Sequence, residues 1–316
     1  MGIIRYSLKV QLRVLWQKMH TAFTPASPGD RKKYSVSICA IFKNEAPFLA
    51  EWIEYHRLIG FDHFYLYDNG STDSPENVLK PYIEDGFVTL TDWKGGQMQL
   101  AAYRHFMETW KDETGWVAFI DLDEFICPIK CRDIKSFLEP FRKCPAVFLH
   151  WKLFGNGGKL THDFSKPVIE QYTYASSVLS PYGKSIVNTE YDIAEYEDVT
   201  LHIPVLKHNG SSSLYYPVDV FGHCVTSIRR NGKLLERKGR RMTSAAAAQV
   251  NHYRNMAWDI VCKKSERTDA VFSSAPRKHF SDFIRYEDTI DSADYNIYRF
   301  LMEYKLRVNG SDPRED

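Results

Sequence analysis

The chain has 316 residues, of which 44% are hydrophobic and 26% charged, enough to bury one sizeable core or a core with a smaller appended unit. Forty-one basic residues against forty acidic ones leave a net charge of +1, which removes the global electrostatic case for a nucleic-acid binder. Six cysteines show no zinc spacing, no run of eighteen apolar residues occurs, and the start lacks the apolar core of a signal peptide, so a reduced, cytoplasmic chain is expected.

In the first twenty residues Arg5, Lys9 and Arg13 recur every four positions, while Ile4, Leu8, Leu12 and Leu15 share another helical face with Trp16 near the boundary. No acidic residue precedes Asp30. That pattern suits a helix lying on the inner, anionic face of a membrane, or one docked on its own domain or a partner. Residues 21–33 are rich in proline and small polar residues and read as a linker, so residues 1–33 form a helix-and-linker unit and folding starts near Tyr34.

From there strands and helices alternate: a strand at Ser35–Phe42, a helix over Ala46–Ile59, a strand at His63–Asp68, a helix around Pro75–Ile83, a strand at Phe87–Leu90, a helix over Gln97–Lys111 and a strand at Trp116–Ile120. Such alternation predicts right-handed βαβ units, a Rossmann-like α/β fold and a mostly parallel sheet flanked by helices. Ligands of such sheets bind beyond the carboxyl ends of the strands. Three of these strands end there in polar groups: Lys43-Asn44-Glu45, Asp68-Asn69 and Asp121-Leu122-Asp123.

The second half is less regular. A strand at Ala146–Trp151 precedes the loop Gly155-Asn156-Gly157-Gly158, with further strand candidates near Val168–Tyr174 and Thr200–Leu206. Residues 228–242 carry seven basic side chains against Glu236, a solvated hairpin or a second contact for membrane or lipid phosphates. Ser281–Val308 reads as polar helix with aromatic anchors.

The chemistry concentrates in WVAFIDLDEF, residues 116–125, where a buried strand delivers Asp121, Asp123 and Glu124 to its exit. Three crowded carboxylates repel unless a cation neutralises them, and carboxylate oxygens suit Mg2+ or Mn2+ with positions left for a diphosphate.

Residues 35–73 resemble the nucleotide-binding start of family 2 glycosyltransferases, and the run to Phe125 is similar to glycosyltransferase family 92. The matching elements are Lys43-Asn44-Glu45, the EWIEYHRLIG helix, the YDNGSTD turn, Gln99 with Ala102-Tyr103, and the DLDEF strand end. Further matches are Trp151-Lys152-Leu153-Phe154-Gly155, Lys184-Ser185-Ile186-Val187, and Asn251-His252-Tyr253 followed by Lys263 or Lys264, so the likeness runs over about residues 35–270.

The resemblance implies a GT-A-like fold, a nucleotide half at 34–125, an acceptor half at 126–270 and a helical extension at 271–316. It implies a nucleotide-sugar donor, with a uridine diphosphate sugar favoured, held by Lys43, Asn44, Glu45, Asp68, Gln99, Asp121 and Lys184. Mn2+ or Mg2+ would sit on Asp123 and Asp121, with His252 as an additional ligand or diphosphate contact. Trp151, Phe154 and Gly155 would shape the acceptor side, for a glycan or glycolipid. An inverting transfer also needs a carboxylate base, for which the sequence offers Glu124, Asp163, Asp192 and Glu195. Bland roles stand beside these: an Asx-turn cap for Asp68, a surface lysine for Lys184, a structural histidine for His252 and plain core for Trp151 and Phe154. A nucleotidyltransferase would need a glycine-rich basic loop after the first strand, where this chain has Lys43-Asn44-Glu45-Ala46-Pro47. A noncatalytic scaffold predicts loss of an acidic metal residue, and both aspartates are present.

Overall fold

The computed structural model of the chain describes residues 12, 15–17, 19, 32–95, 98–195, 202–208, 212–225, 229–230, 233–234, 246–266 and 280–310. Strand β1 (Tyr34–Phe42) is central to a parallel group, with β2 (His63–Asp68) and then β3 (Val88–Asp92) on one side and β4 (Thr114–Phe119) on the other. From Val36 onward β1 is buried throughout, as expected of a strand covered on both faces. Helices α1 (Ala46–Leu58), α2 (Pro75–Glu84) and α3 (Gln99–Thr109) make the crossovers. Phe42 pairs with Asp68 and Asp68 with Asp92, so the strand exits line up along one edge.

Beyond β4 the sheet departs from the expected parallel order. Strand β5 (Glu124–Pro128) leaves the turn after β4, followed by α4 (Ile134–Leu138), β6 (Ala146–Leu153), the short helix α5 (Val168–Gln171), β7 (Tyr174–Ala175) and β8 (Gly183–Asn188). Strand β8 runs antiparallel to both β4 and β6, because loops rather than long crossover helices return the chain. With β12 (Val218–Asp219) and β15 (Ala248–His252), nine strands form a mixed sheet in the order β3-β2-β1-β4-β8-β6-β15-β5, with β12 against β6. A three-stranded sheet of β9 (Tyr191–Glu195), β10 (Val205–His208) and β11 (Leu214–Tyr215) flanks it. Of the basic stretch 228–242, only the pair β13 (Arg229–Arg230) and β14 (Lys233–Leu234) lies within the described residues.

The segment expected as a strand at Val168–Tyr174 begins instead as α5. Glu51 accepts hydrogen bonds from Val168 N at 2.8 Å and Ile169 N at 3.1 Å, so a carboxylate from α1 supplies the N-terminal cap. The C-terminal helical reading also divides in two. Helices α7 (Phe280–Glu287) and α8 (Tyr298–Val308) are separated by β16 (Ser292–Ala293), which pairs with β7. This end packs on the core: Phe300 and Tyr304 are buried, and Arg307 Nε meets Glu54 of α1 at 3.2 Å. Lys152 Nζ lies 3.7 Å from Asp294, both buried. Helix α6 (Trp258–Glu266) closes over the strand exits.

Candidate active site

The site grows from the turn between β4 and β5. Glu124 N donates to Asp121 O at 3.0 Å, and Asp121 N donates to Glu124 Oε2 at 2.9 Å, so the DLDE segment folds back on itself. The two aspartates then meet separate partners. Asp121 accepts from Gln99 Nε2 at 3.2 Å and from Lys184 Nζ at 2.8 Å. Asp123 receives Lys264 Nζ of α6 at 2.8 Å on Oδ2, and His252 Nε2 of β15 lies 3.6 Å from its Oδ1. Lys264 also reaches Glu45 at the exit of β1, at 3.5 Å. One helix thus bridges two strand exits through a single ammonium group.

Burial sets the protonation states. Burial alone would lower Lys184, but Asp121 and Glu124 outweigh it and hold the ammonium up at about 12. Glu124 is fully buried, and burial pushes its carboxyl upward against the pull of Lys184, 3.6 Å away. Burial lowers His252 to about 4 in spite of Asp123 and Asp121, so its imidazole is neutral at neutral pH. Trp151 packs on that ring with centroids 4.6 Å apart.

A cavity of about 620 Å³ opens beside this cluster, lined among others by Lys43, Asn44, Glu45, Asp73, Lys263 and Lys264. Asn44 takes the left-handed conformation at φ 53° and its Oδ1 accepts from Thr72 N at 2.7 Å, tying the β1 exit to the turn after β2. Asp73 caps α1 by accepting from Ala46 N at 2.8 Å. Asp68 accepts from Ser71 N, three residues on, at 2.8 Å, and so caps the turn after β2.

Several residues expected in the site lie elsewhere. Glu124 is sealed behind Asp121 with no exposed surface, so it supports the turn and cannot meet an acceptor hydroxyl. Asp192 pairs with Lys111 on the flanking sheet. Asp163 is exposed on a surface loop, where it accepts from Ser165 N at 3.0 Å. Glu195 ends β9, and its side chain lies outside the described residues. Phe154 is buried core packed on Tyr253, and Gly155 faces Glu287 and Ile290, so neither offers a sugar platform; Trp151 stays half-buried beside His252.

The donor set for a divalent cation is small. Among the described residues no three His, Cys, Asp or Glu side chains are grouped to hold a metal. Asp123 Oδ1 and His252 Nε2, 3.6 Å apart, are a carboxylate and an imidazole close enough to share a divalent cation with phosphate oxygens and water. Asp121 is turned toward Lys184 instead.

The sequence profile of glycosyltransferase family 92 matches residues 32–292. The chain belongs to glycosyltransferase family 92. Its profile extends past residue 270 and takes in α7 as far as the first residue of β16, which the motif likeness did not reach. A family 92 protein of Arabidopsis thaliana is 25% identical over 76% of this chain and 38% of its own length. One from Oryza sativa subsp. japonica is 38% identical over 30% of this chain and 17% of its own. The galactan β-1,4-galactosyltransferase GALS3 of Arabidopsis thaliana is 37% identical over 34% of the chain and 24% of its own. This family 92 chain therefore spans well under half of these relatives. Among solved structures, S. aureus TarS 1–349 in complex with UDP aligns with a TM-score of 0.34 and 14% identity, covering 59% of this chain and 60% of that one.

Lys264 is the contact that residue-level reading left least specified, as one of two adjacent lysines after Asn251-His252-Tyr253. The signal that separates them is helical direction. Lys264 points inward from α6 to Asp123, whereas Lys263 turns toward Phe164, 5.8 Å from the ring centroid.

Proposed function

We propose that this chain is an inverting glycosyltransferase that moves a hexose from a uridine diphosphate sugar to a glycan or glycolipid acceptor in surface polysaccharide or lipopolysaccharide assembly. The carrying observation is the convergence of Asp121, Asp123, His252, Lys184 and Lys264 on one strand-exit edge beside the cavity lined by Lys43–Glu45. Family membership supports the reaction, and the galactan galactosyltransferase relative favours galactose as the sugar.

The lysines give the site its anion-binding character. Lys43, Lys263 and Lys264 line the cavity and would receive the donor's phosphates, with Lys264 exchanging Asp123 for a phosphate oxygen. Lys184 holds Asp121 in place, so Asp121 is oriented before the donor arrives. Asp123 and neutral His252 would hold Mn2+ or Mg2+. When bound, that cation would offset the charge growing on the leaving diphosphate.

The test is release of nucleoside diphosphate from a panel of nucleotide sugars, with Mn2+, Mg2+ or chelator, by the parent chain and by Asp123→Asn. Release from a uridine diphosphate sugar that needs the metal and falls at least about a hundredfold in the variant is expected. Equal release by parent and variant, or no donor binding by the parent in calorimetry, would sink the reading.

A further inference from the structure

Near the N-terminus, Leu12, Leu15, Trp16, Gln17 and Met19 are helical. Gln17 is 1% exposed. Its Nε2 donates to Tyr216 O at 2.7 Å, and its Oε1 accepts from Tyr216 N at 2.9 Å. The amide therefore satisfies both backbone groups of Tyr216, much as a neighbouring strand would. Trp16 adds a ring contact with Tyr215 at 5.7 Å between centroids. These contacts fix which side of the helix faces the folded domain.

At about 3.6 residues per turn, Leu12, Leu15 and Met19 fall on one arc and Gln17 nearly opposite. The three apolar side chains are 57%, 57% and 54% exposed. Docking through Gln17 thus turns a stripe of large apolar groups outward, where folding gives them no burial. The surrounding sequence supplies Arg5, Lys9, Arg13 and Lys18, no acid before Asp30, and further apolar residues at Ile4 and Leu8 in the same spacing. An apolar stripe flanked by unopposed basic residues complements an anionic bilayer in both hydrophobicity and charge.

We infer that this stripe is a membrane-docking surface: Leu12, Leu15 and Met19 enter the interfacial layer of an anionic bilayer while Gln17 clamps the helix to the catalytic domain. Vesicle binding through this stripe needs no sugar donor and is separable from the transfer reaction.

The test is co-sedimentation of the full chain with vesicles of phosphatidylcholine, with or without phosphatidylglycerol. The parent is expected to sediment with the anionic vesicles and release as salt rises. Leu12→Glu/Leu15→Glu/Met19→Glu is expected to bind at least about tenfold more weakly, with its thermal midpoint unchanged because the three sites are exposed. Arg5→Glu/Lys9→Glu/Arg13→Glu, which alters charge and spares the stripe, should weaken binding to anionic vesicles as well. No binding by the parent, or undiminished binding by both variants, overturns the proposal. So does a dimer seen by light scattering that is lost in the apolar-stripe variant without any vesicle binding, since that would assign the stripe to self-association.

Discussion

Lys184 is 2% exposed and faces two carboxylates, Asp121 at 2.8 Å and Glu124 at 3.6 Å. Of the two, Glu124 has no other cation within an ion-pair distance among the described residues, and its Oε1 is buried with no hydrogen-bond partner there. Lys184→Met would leave that carboxylate only the hydrogen bond from Asp121 N to offset its burial, a loss on the order of 3–5 kcal/mol in unfolding free energy. Adding Glu124→Gln removes the stranded charge. The double variant is therefore expected to recover more than half of the loss in urea unfolding, and an additive loss would show that the pair does not act as a unit.

At the scale of elements, the close approach of β8 to β6 depends on Gly183. A Cβ there would fall against the carbonyl of Leu149 and the Cα of His150, and backbone cannot swing aside as a flexible side chain can. Gly183→Ala is expected to cost about 1–3 kcal/mol in chemical unfolding and to disturb Lys184 next door, lowering donor turnover more than stability alone explains. An unchanged unfolding midpoint would refute this view of the strand. The same region shows what the sequence carried and what it did not. β1 to β4 and their helices are legible because each is a local periodic run whose partners follow in order. By contrast, β8 places the polar Lys184, Ser185 and Asn188 in full burial between strands distant in sequence, so no alternation marks it. Likewise α5 owes its helical start to Glu51, more than a hundred residues away, and nothing local to Val168 announces that cap. In the site, Asp121, Asp123, Lys184 and His252 were legible as motif residues that do converge. Phe154 and Gly155 belong to the same motifs yet serve packing, since sequence shows a residue's neighbours in the chain but not which way its side chain turns. Glu124 fails as the acceptor-side base for the same reason: spacing cannot tell that its side chain points into the core.

The stability of the whole molecule against pH follows from buried groups pulling in opposite directions. Burial lowers His56 to about 3, and His63 and His252 to about 4, from an ordinary 6.5. Burial keeps His56 neutral against the bond that Nδ1 donates to Trp52 O at 2.8 Å, and Nε2 accepts from Ile126 N at 3.2 Å, a role open only to the neutral ring. Between those values and 6.5 the unfolded chain binds more protons than the folded one, so stability is full above 6.5 and falls as pH falls. Glu51 has the opposite sign. Burial raises its carboxyl from 4.5 to about 7 despite the bonds from Val168 and Ile169, so its neutral form is favoured in the fold, and its contribution is present below 4.5 and lost as pH rises toward 7. Three histidines, each shifted by at least as much as Glu51 and joined by His202, which desolvation also lowers, act against Glu51 and the buried Glu124, and the protein is expected to lose stability between pH 7 and pH 4.5. Glu51→Gln isolates the smaller contribution. Relative to the parent, its thermal stability should improve by about 2 kcal/mol more at pH 8 than at pH 4.5, steepening the acid-side fall. A difference between variant and parent that stays constant across that range would mean that Glu51 is ionised in the fold throughout, with the two amide hydrogen bonds from α5 outweighing its burial.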